Sequence, residues 1–203
     1  MEFLSLNGPV TVADELKRRL DSSPAGRAQV LLGPRQVGKT TLLLGLMERI
    51  PNAVYRAVDS PEAAMAGWWE ATWRHVLERA AGGKAVLILD EIQYLDGWER
   101  LVKSKVDELR RTRAPIHLVL SGSSSLLVRR GLNETMAGRF ETLRLNHWSA
   151  RDLAGAFGLA PFEAVESLVR LGGYPGAFPL KDDLLPLQVG RLPVQAGDGP
   201  RVP

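Results

Sequence analysis

The sequence predicts an α/β fold in three layers, a parallel sheet between two layers of helices, built around a phosphate-binding loop. Three observations predict it. Gly33-Pro34-Arg35-Gln36-Val37-Gly38-Lys39-Thr40-Thr41 matches G-x-x-x-x-G-K-[ST], and it stands between an apolar strand-like run and a helical one. Ala85-Val86-Leu87-Ile88-Leu89 is a continuous apolar run, as a parallel strand covered on both faces requires, and it ends in Asp90-Glu91. Strand-like runs and helical periodicities alternate along the chain, which is the pattern of a parallel α/β sheet.

The elements follow in order. A helix is expected over Val12–Leu20, then a loop at Asp21-Ser22-Ser23-Pro24-Ala25-Gly26. Gln29-Val30-Leu31-Leu32 forms the first strand, and the phosphate loop leads into a helix that Pro51 stops. Ala53–Val58 is a second strand. Trp69, Trp73, Val76, Leu77 and Ala80 recur at helical spacing, so Trp68 and Trp69 open a helix packed on the sheet, which Gly82-Gly83 ends. At this spacing the tryptophans read as core rather than as a ligand-stacking surface. After the Ala85–Leu89 strand, Trp98, Leu101, Val102, Val106 and Leu109 form the apolar stripe of a helix that closes before Pro115. Ile116–Leu120 is another strand, and the alternating Phe140–Leu145 is the last, at an edge.

The chain has 203 residues, 45% of them hydrophobic and 24% charged, enough for one well-cored globular domain. It has no cysteine, which excludes disulfides and thiolate metal sites. The first residues lack a basic start followed by an apolar core, and no apolar run is long enough to span a bilayer, so no membrane is expected and a cytoplasmic address is the default. The net charge of +3 permits a nucleic-acid partner without supporting one. The basic clusters at Lys17-Arg18-Arg19, Arg110-Arg111 and Arg129-Arg130 read as solvated faces or C-terminal ends of helices, where cations oppose the dipole.

The chemistry gathers at the strand ends. The loop from Gly33 to Thr41 turns backbone N–H groups inward around phosphates, at a helix N-terminus whose dipole favours an anion. Lys39 reaches the terminal phosphates and the Thr40 hydroxyl sits on Mg²⁺. Asp90, at the end of its strand, lies beside the loop and completes the Mg²⁺ shell opposite Thr40. Glu91 is placed to orient and deprotonate the attacking water, a role a pure transferase does not need; the alternative is a carboxylate that favours a helix N-terminus. The Ile116–Leu120 strand runs into Ser121-Gly122-Ser123-Ser124-Ser125. A hydroxyl at the end of a strand between the loop strand and the Asp90 strand can report on the γ-phosphate, and Ser121 and Ser123 both qualify.

Together these motifs, "GPRQVGKTTLL", "LILDEIQ", "LSGSSSLL", "AGRFETLRLNHWS" and "GGYPGAFPL" at Gly172–Leu180, resemble those of the AAA-like P-loop ATPases of bacteria and archaea. The resemblance covers about Arg18 to about Leu180. It implies the P-loop NTPase three-layer sandwich of the ASCE and AAA-like kind, with Walker A and Walker B motifs, and ATP and Mg²⁺ as ligands. It implies that Lys39, Thr40, Asp90 and Glu91 bind and hydrolyse ATP, and it favours Ser123 over Ser121 as the sensor. It also points to Arg139, which would neutralise transition-state charge within the chain or across a contact between self-associated subunits; the alternative is a brace on the last strand. A module that holds ATP and turns over rarely is the main rival. No Asn-Lys-x-Asp run reads guanine, so adenine rests on the resemblance.

Two features depart from that family. His147-Trp148-Ser149 stands where many relatives have Pro-Leu-Ser. The family's ATPase core precedes a C-terminal domain, often of winged-helix character, whereas here residues 1–180 read as the ATPase domain and 181–203 as an unstructured tail. Pro186, Pro193, Pro200 and Pro203, with Gly190, Gly197 and Gly199, forbid a sizeable helix there. The expectation is a truncated or frameshifted chain; the alternative is a native disordered tail.

Overall fold

The computed structural model describes residues 9–24, 26–124, 126 and 138–177. Helix α1 (Pro9–Asp21) precedes strand β1 (Ala28–Gly33), and the phosphate loop connects β1 to α2 (Lys39–Met47). There follow β2 (Ala53–Ala57), α3 (Trp68–Ala80), β3 (Ala85–Asp90), α4 (Trp98–Thr112), β4 (Ile116–Ser123) and β5 (Phe140–Arg144). A helical hairpin, α5 (Ala150–Phe157) and α6 (Pro161–Leu171), closes the described part. The tail 181–203, and Arg129-Arg130 of the basic clusters, lie outside the described residues.

The sheet order is β2-β3-β4-β1-β5, with every neighbouring pair parallel. β4 therefore lies between the loop strand and the Asp90 strand, as the sequence implies, and β5 is an edge strand. β1 and β3 are buried at every position, which is why their sequences are continuous apolar runs rather than alternating ones.

One face of the sheet offers Val30, Leu32, Leu87, Leu89, Leu118 and Leu120 to α3 and α4, which bring Trp73, Val76, Trp98, Val102 and Val106. The other offers Leu31, Val86, Ile88, Val119 and Leu143 to α1 and α2, which bring Val12, Leu16, Leu20, Leu43 and Leu46. Alternation along each strand thus builds two cores and the three-layer sandwich. Of the tryptophans expected as core, Trp73 and Trp98 are each 3% exposed, while Trp68 and Trp69 pack at the margin.

Helix α2 differs from expectation at both ends. It starts inside the loop at Lys39, and after Met47 the chain tightens into i→i+3 bonds at Arg49 and Ile50, ahead of Pro51. The hairpin is held by its own small core of Leu153 and Ala164 with Trp148, Leu159, Leu168 and Leu171. Ser149 and Asp152 form a capping box at the start of α5, and Gly158 ends it in the left-handed region.

Candidate functional site

The site stands at the C-terminal ends of β1, β3 and β4. β1 delivers the chain to Gly33, where a Cβ would run into the Leu145 carbonyl oxygen, so only glycine fits this close approach. The loop then curls through Gln36 (φ 63) and Gly38 (φ 92), both left-handed, before α2 begins at Lys39. Lys39 is only 4% exposed. Its ammonium donates to the carbonyls of Gly33 (3.2 Å) and Pro34 (2.8 Å) and lies 3.9 Å from Glu91 Oε1. A buried cation held by the loop's own carbonyls fits an anion-binding cradle, because those neutral dipoles compensate it only partly.

Asp90, 2% exposed, collects three hydroxyls from three elements. Thr40 Oγ1, at the start of α2, donates to Oδ2 at 2.7 Å; Tyr55 Oη, from β2, donates to the same oxygen at 2.8 Å; and Ser121 Oγ, from β4, donates to Oδ1. Burial, with the Asp90 carboxylate beside it, pushes the Tyr55 phenol above its usual range. Three neutral hydroxyls thus converge on one buried carboxyl, an arrangement that a divalent cation would complete. Thr40 and Asp90 are hard oxygen donors already within bonding distance of each other, and they fit Mg²⁺.

Glu91 has φ 55 and ψ 48, a left-handed conformation uncommon outside glycine and asparagine, and one that concentrates at functional positions. It is fixed from both ends. Its amide donates to Ser121 Oγ at 3.1 Å, and its Oε2 accepts from Gln93 Nε2. Gln93 lies on Gly122, where a Cβ would come within 2.9 Å of Gln93 Oε1 and of Leu126 Cδ2.

The structure thus brings Lys39, Thr40, Asp90 and Glu91 together. Ser121 is bonded to Asp90 and to the Glu91 amide, while Ser123 pairs in register with Gly33 and stands beside the loop. Arg139 is not brought there. It precedes β5, its carbonyl accepts from the amide of Ala28 at the start of β1, and the loop lies at the other end of β1, roughly 16 Å along the strand. Its guanidinium forks onto Asp107, with Nε to Oδ1 at 2.8 Å and Nη2 to Oδ2 at 3.2 Å. Within one chain it braces the far end of the sheet, as the alternative reading of Arg139 expected, and does not reach the loop.

Sequence reasoning gave no role to Tyr55, Gln93 or Trp148. Tyr55 had a signal, two residues before the end of a strand that pairs with the Asp90 strand, on the same side as Ala57 opposite Asp90. Trp148 had a fainter one in the departure from Pro-Leu-Ser; its indole Nε1 donates to the Val37 carbonyl at 3.0 Å.

A family described as AAA domain matches residues 25–154. An uncharacterized protein of Mycobacterium tuberculosis and one of Mycobacterium bovis are each 26% identical over 166 residues, covering 82% of this chain and 33% of the relative. The chain thus spans about a third of the length of these curated relatives. Among solved structures, the ORC1 protein of Aeropyrum pernix in complex with DNA is similar with a TM-score of 0.52 and 15% identity, over 80% of this chain and 50% of that one. At that identity the likeness concerns the fold.

Proposed function

The chain belongs to the AAA domain family, and from that premise we propose that it binds ATP with Mg²⁺ and hydrolyses it to ADP and phosphate to drive a conformational change. The observation that carries the proposal is the 2.7 Å contact between Thr40 and Asp90, with Glu91 the next residue. A loop hydroxyl and a strand-end carboxylate meet where a phosphate-bound cation would sit, and a second carboxylate stands beside them.

Mg²⁺ would be held by the Asp90 carboxylate, the Thr40 hydroxyl and phosphate oxygens. When bound, Mg²⁺ supplies counter-charge to the phosphates. Lys39 turns from the carbonyls of Gly33 and Pro34 to the terminal phosphates. Residues Gly33 to Thr41 wrap them with backbone N–H groups. Glu91 accepts a proton from water as the water oxygen attacks the γ-phosphorus; the bond to the bridging oxygen breaks and ADP leaves. Ser123, which pairs in register with Gly33, is the sensor of the γ-phosphate in this proposal. Residues 1–180 form the ATPase unit in this proposal.

A switch that holds ATP with little turnover is favoured by one observation: the Glu91 carboxylate is already engaged by Gln93 and faces Lys39. A nucleic-acid partner gains no support from Arg18, Arg19 and Arg27, which are taken up by Glu15 and Glu141. Among the described residues no helix is long and apolar enough to cross a membrane.

Calorimetry with ATP and phosphate release test the proposal. Lys39→Ala is expected to lose ATP binding, and Glu91→Gln to keep it while hydrolysis falls on the order of a hundredfold or more. Equal loss of affinity in both variants refutes the division of labour. Full affinity with no measurable turnover in the unsubstituted chain selects the switch.

A further inference from the structure

Trp148 belongs to two parts of the molecule at once. Its indole N–H donates to the Val37 carbonyl of the phosphate loop at 3.0 Å, while its ring packs against the hairpin core and lies tilted over Phe157, with centroids 6.1 Å apart. Its own amide donates to the carbonyl of Gly173 at 3.0 Å, where the chain returns from α6. There is no room for a side chain at Gly173: a Cβ would come within 2.7 Å of the Trp148 carbonyl oxygen and 3.1 Å of its nitrogen. Beyond it, Pro175 Cγ stands 3.7 Å from where a Cβ on Gly38 would be. Both ends of the hairpin therefore bear on the loop.

The Val37–Gly38 peptide is trans and planar, so its carbonyl and its N–H point in opposite directions. A carbonyl held by the indole turns the Gly38 N–H away from Trp148. Gly38, at φ 92 and without a Cβ, places little steric restraint on rotation of this peptide plane. A flipped plane would put a carbonyl oxygen, not an N–H, toward a bound phosphate.

We propose that Trp148 is a positioning residue that holds the Val37–Gly38 peptide in its anion-binding orientation, and so makes the placement of the α5–α6 hairpin and the affinity of the loop for a nucleotide triphosphate depend on each other. The proposal rests on the reading of the loop as the ATP site. By linkage, a contact that shifts the hairpin changes ATP affinity, and ATP changes the affinity for that contact by the same factor.

The test uses Trp148→Phe in the whole chain, which keeps an aromatic ring and removes the N–H donor. Amide hydrogen exchange over residues 33–41 is measured without nucleotide, and ATP affinity is measured by calorimetry. Exchange in the loop is expected to rise, and ATP affinity to weaken roughly three- to tenfold, the effect of one hydrogen bond, while amides of 150–171 keep their protection. Unchanged loop exchange overturns the proposal, as does faster loop exchange with unchanged affinity. If the unsubstituted chain binds no ATP, the functional reading and the coupling to affinity both fail, and the exchange comparison alone decides whether the indole orders the loop. If the substitution loosens the hairpin itself, the Trp148 indole N–H of the unsubstituted protein decides: protection from solvent exchange supports the bond, and exchange at the rate of a free indole overturns it.

Discussion

The two ends of the sheet are built from the same strands and solve opposite problems. At the N-terminal end, charges meet charges. Arg139 forks onto Asp107, Arg19 contacts Glu15, and Arg27 contacts Glu141, which also accepts from Gln29. Arg110 donates to the carbonyls of Gly26 and Gly138. The carboxyls of Glu15 and Asp107 are held below the ordinary range, chiefly by bonds from Arg18 and from Arg139. At the C-terminal end, Lys39 and Asp90 are more deeply buried, yet each is satisfied mainly by neutral groups, and Glu91 sits in a left-handed backbone. One end is closed by ion pairs. At the other, the buried cation rests on carbonyls and the buried carboxylate on hydroxyls, with Glu91 3.9 Å from Lys39 as their charged neighbour.

That contrast breaks most sharply at Gln93. Gln93→Ala removes the donor that fixes the Glu91 carboxylate, and it also removes a buried amide oxygen, Oε1, that has no hydrogen-bond partner among the described residues. Hydrolysis is expected to fall about tenfold through loss of orientation, with ATP affinity within about twofold and stability changed by less than about 1 kcal/mol. A phosphate-release assay beside calorimetry checks it. Faster hydrolysis would show Gln93 to be a restraint on Glu91 and not its support.

At the closed end the same kind of deletion should affect only stability. The Arg139–Asp107 pair is partly exposed and screened, so Arg139→Ala and Asp107→Ala are each expected to cost roughly 0.5–1 kcal/mol. Denaturant unfolding of both variants and of the double variant should show one shared interaction. Turnover of dilute, monomeric Arg139→Ala should match the unsubstituted chain; a drop in kcat that appears only at concentrations where the chain self-associates would instead mark the role across subunits.

The smallest effect is expected from His117 at the start of β4, which is 5% exposed and has Nε2 at 3.0 Å from the Ser22 carbonyl. Burial pushes its imidazole below the ordinary 6.5. The unfolded chain then binds a proton in a window where the folded chain does not. The stability this residue contributes is full above about 6.5 and is lost as pH falls through the lowered folded value. His117→Gln should flatten unfolding free energy over that window, and leave untouched the losses at lower pH from Glu141 and Asp107, whose ordinary values are 4.5 and 3.8. An unchanged slope would show that the ring is not held neutral.

Where strand, loop and helix follow one another, the sequence by itself determined the outcome. Apolar runs at 29–32, 85–89 and 116–120 became buried strands, and the edge position of Phe140–Arg144 followed from its alternation, because periodicity is a property of neighbouring residues. The meeting of Thr40 with Asp90 was legible too, since parallel strands place their C-terminal ends on one side. The same rule bears on Arg139: it precedes its strand whereas the loop follows its own, so the two lie at opposite ends, a point that motif resemblance overrode. The hairpin at 150–171 had the capping signals of Ser149 and Asp152, but they do not say where it docks. Only the tertiary structure decided which further groups reach the site. Tyr55 reaches Asp90 because β2 pairs in register with β3, Gln93 meets Glu91 because the chain turns over Gly122, and Trp148 meets Val37 across 111 residues because the hairpin folds back. The contacts of Tyr55 and Trp148 are fixed by packing between elements distant in sequence, and that of Gln93, two residues from Glu91, by how the chain lies over Gly122; no local pattern of residue types carries that information.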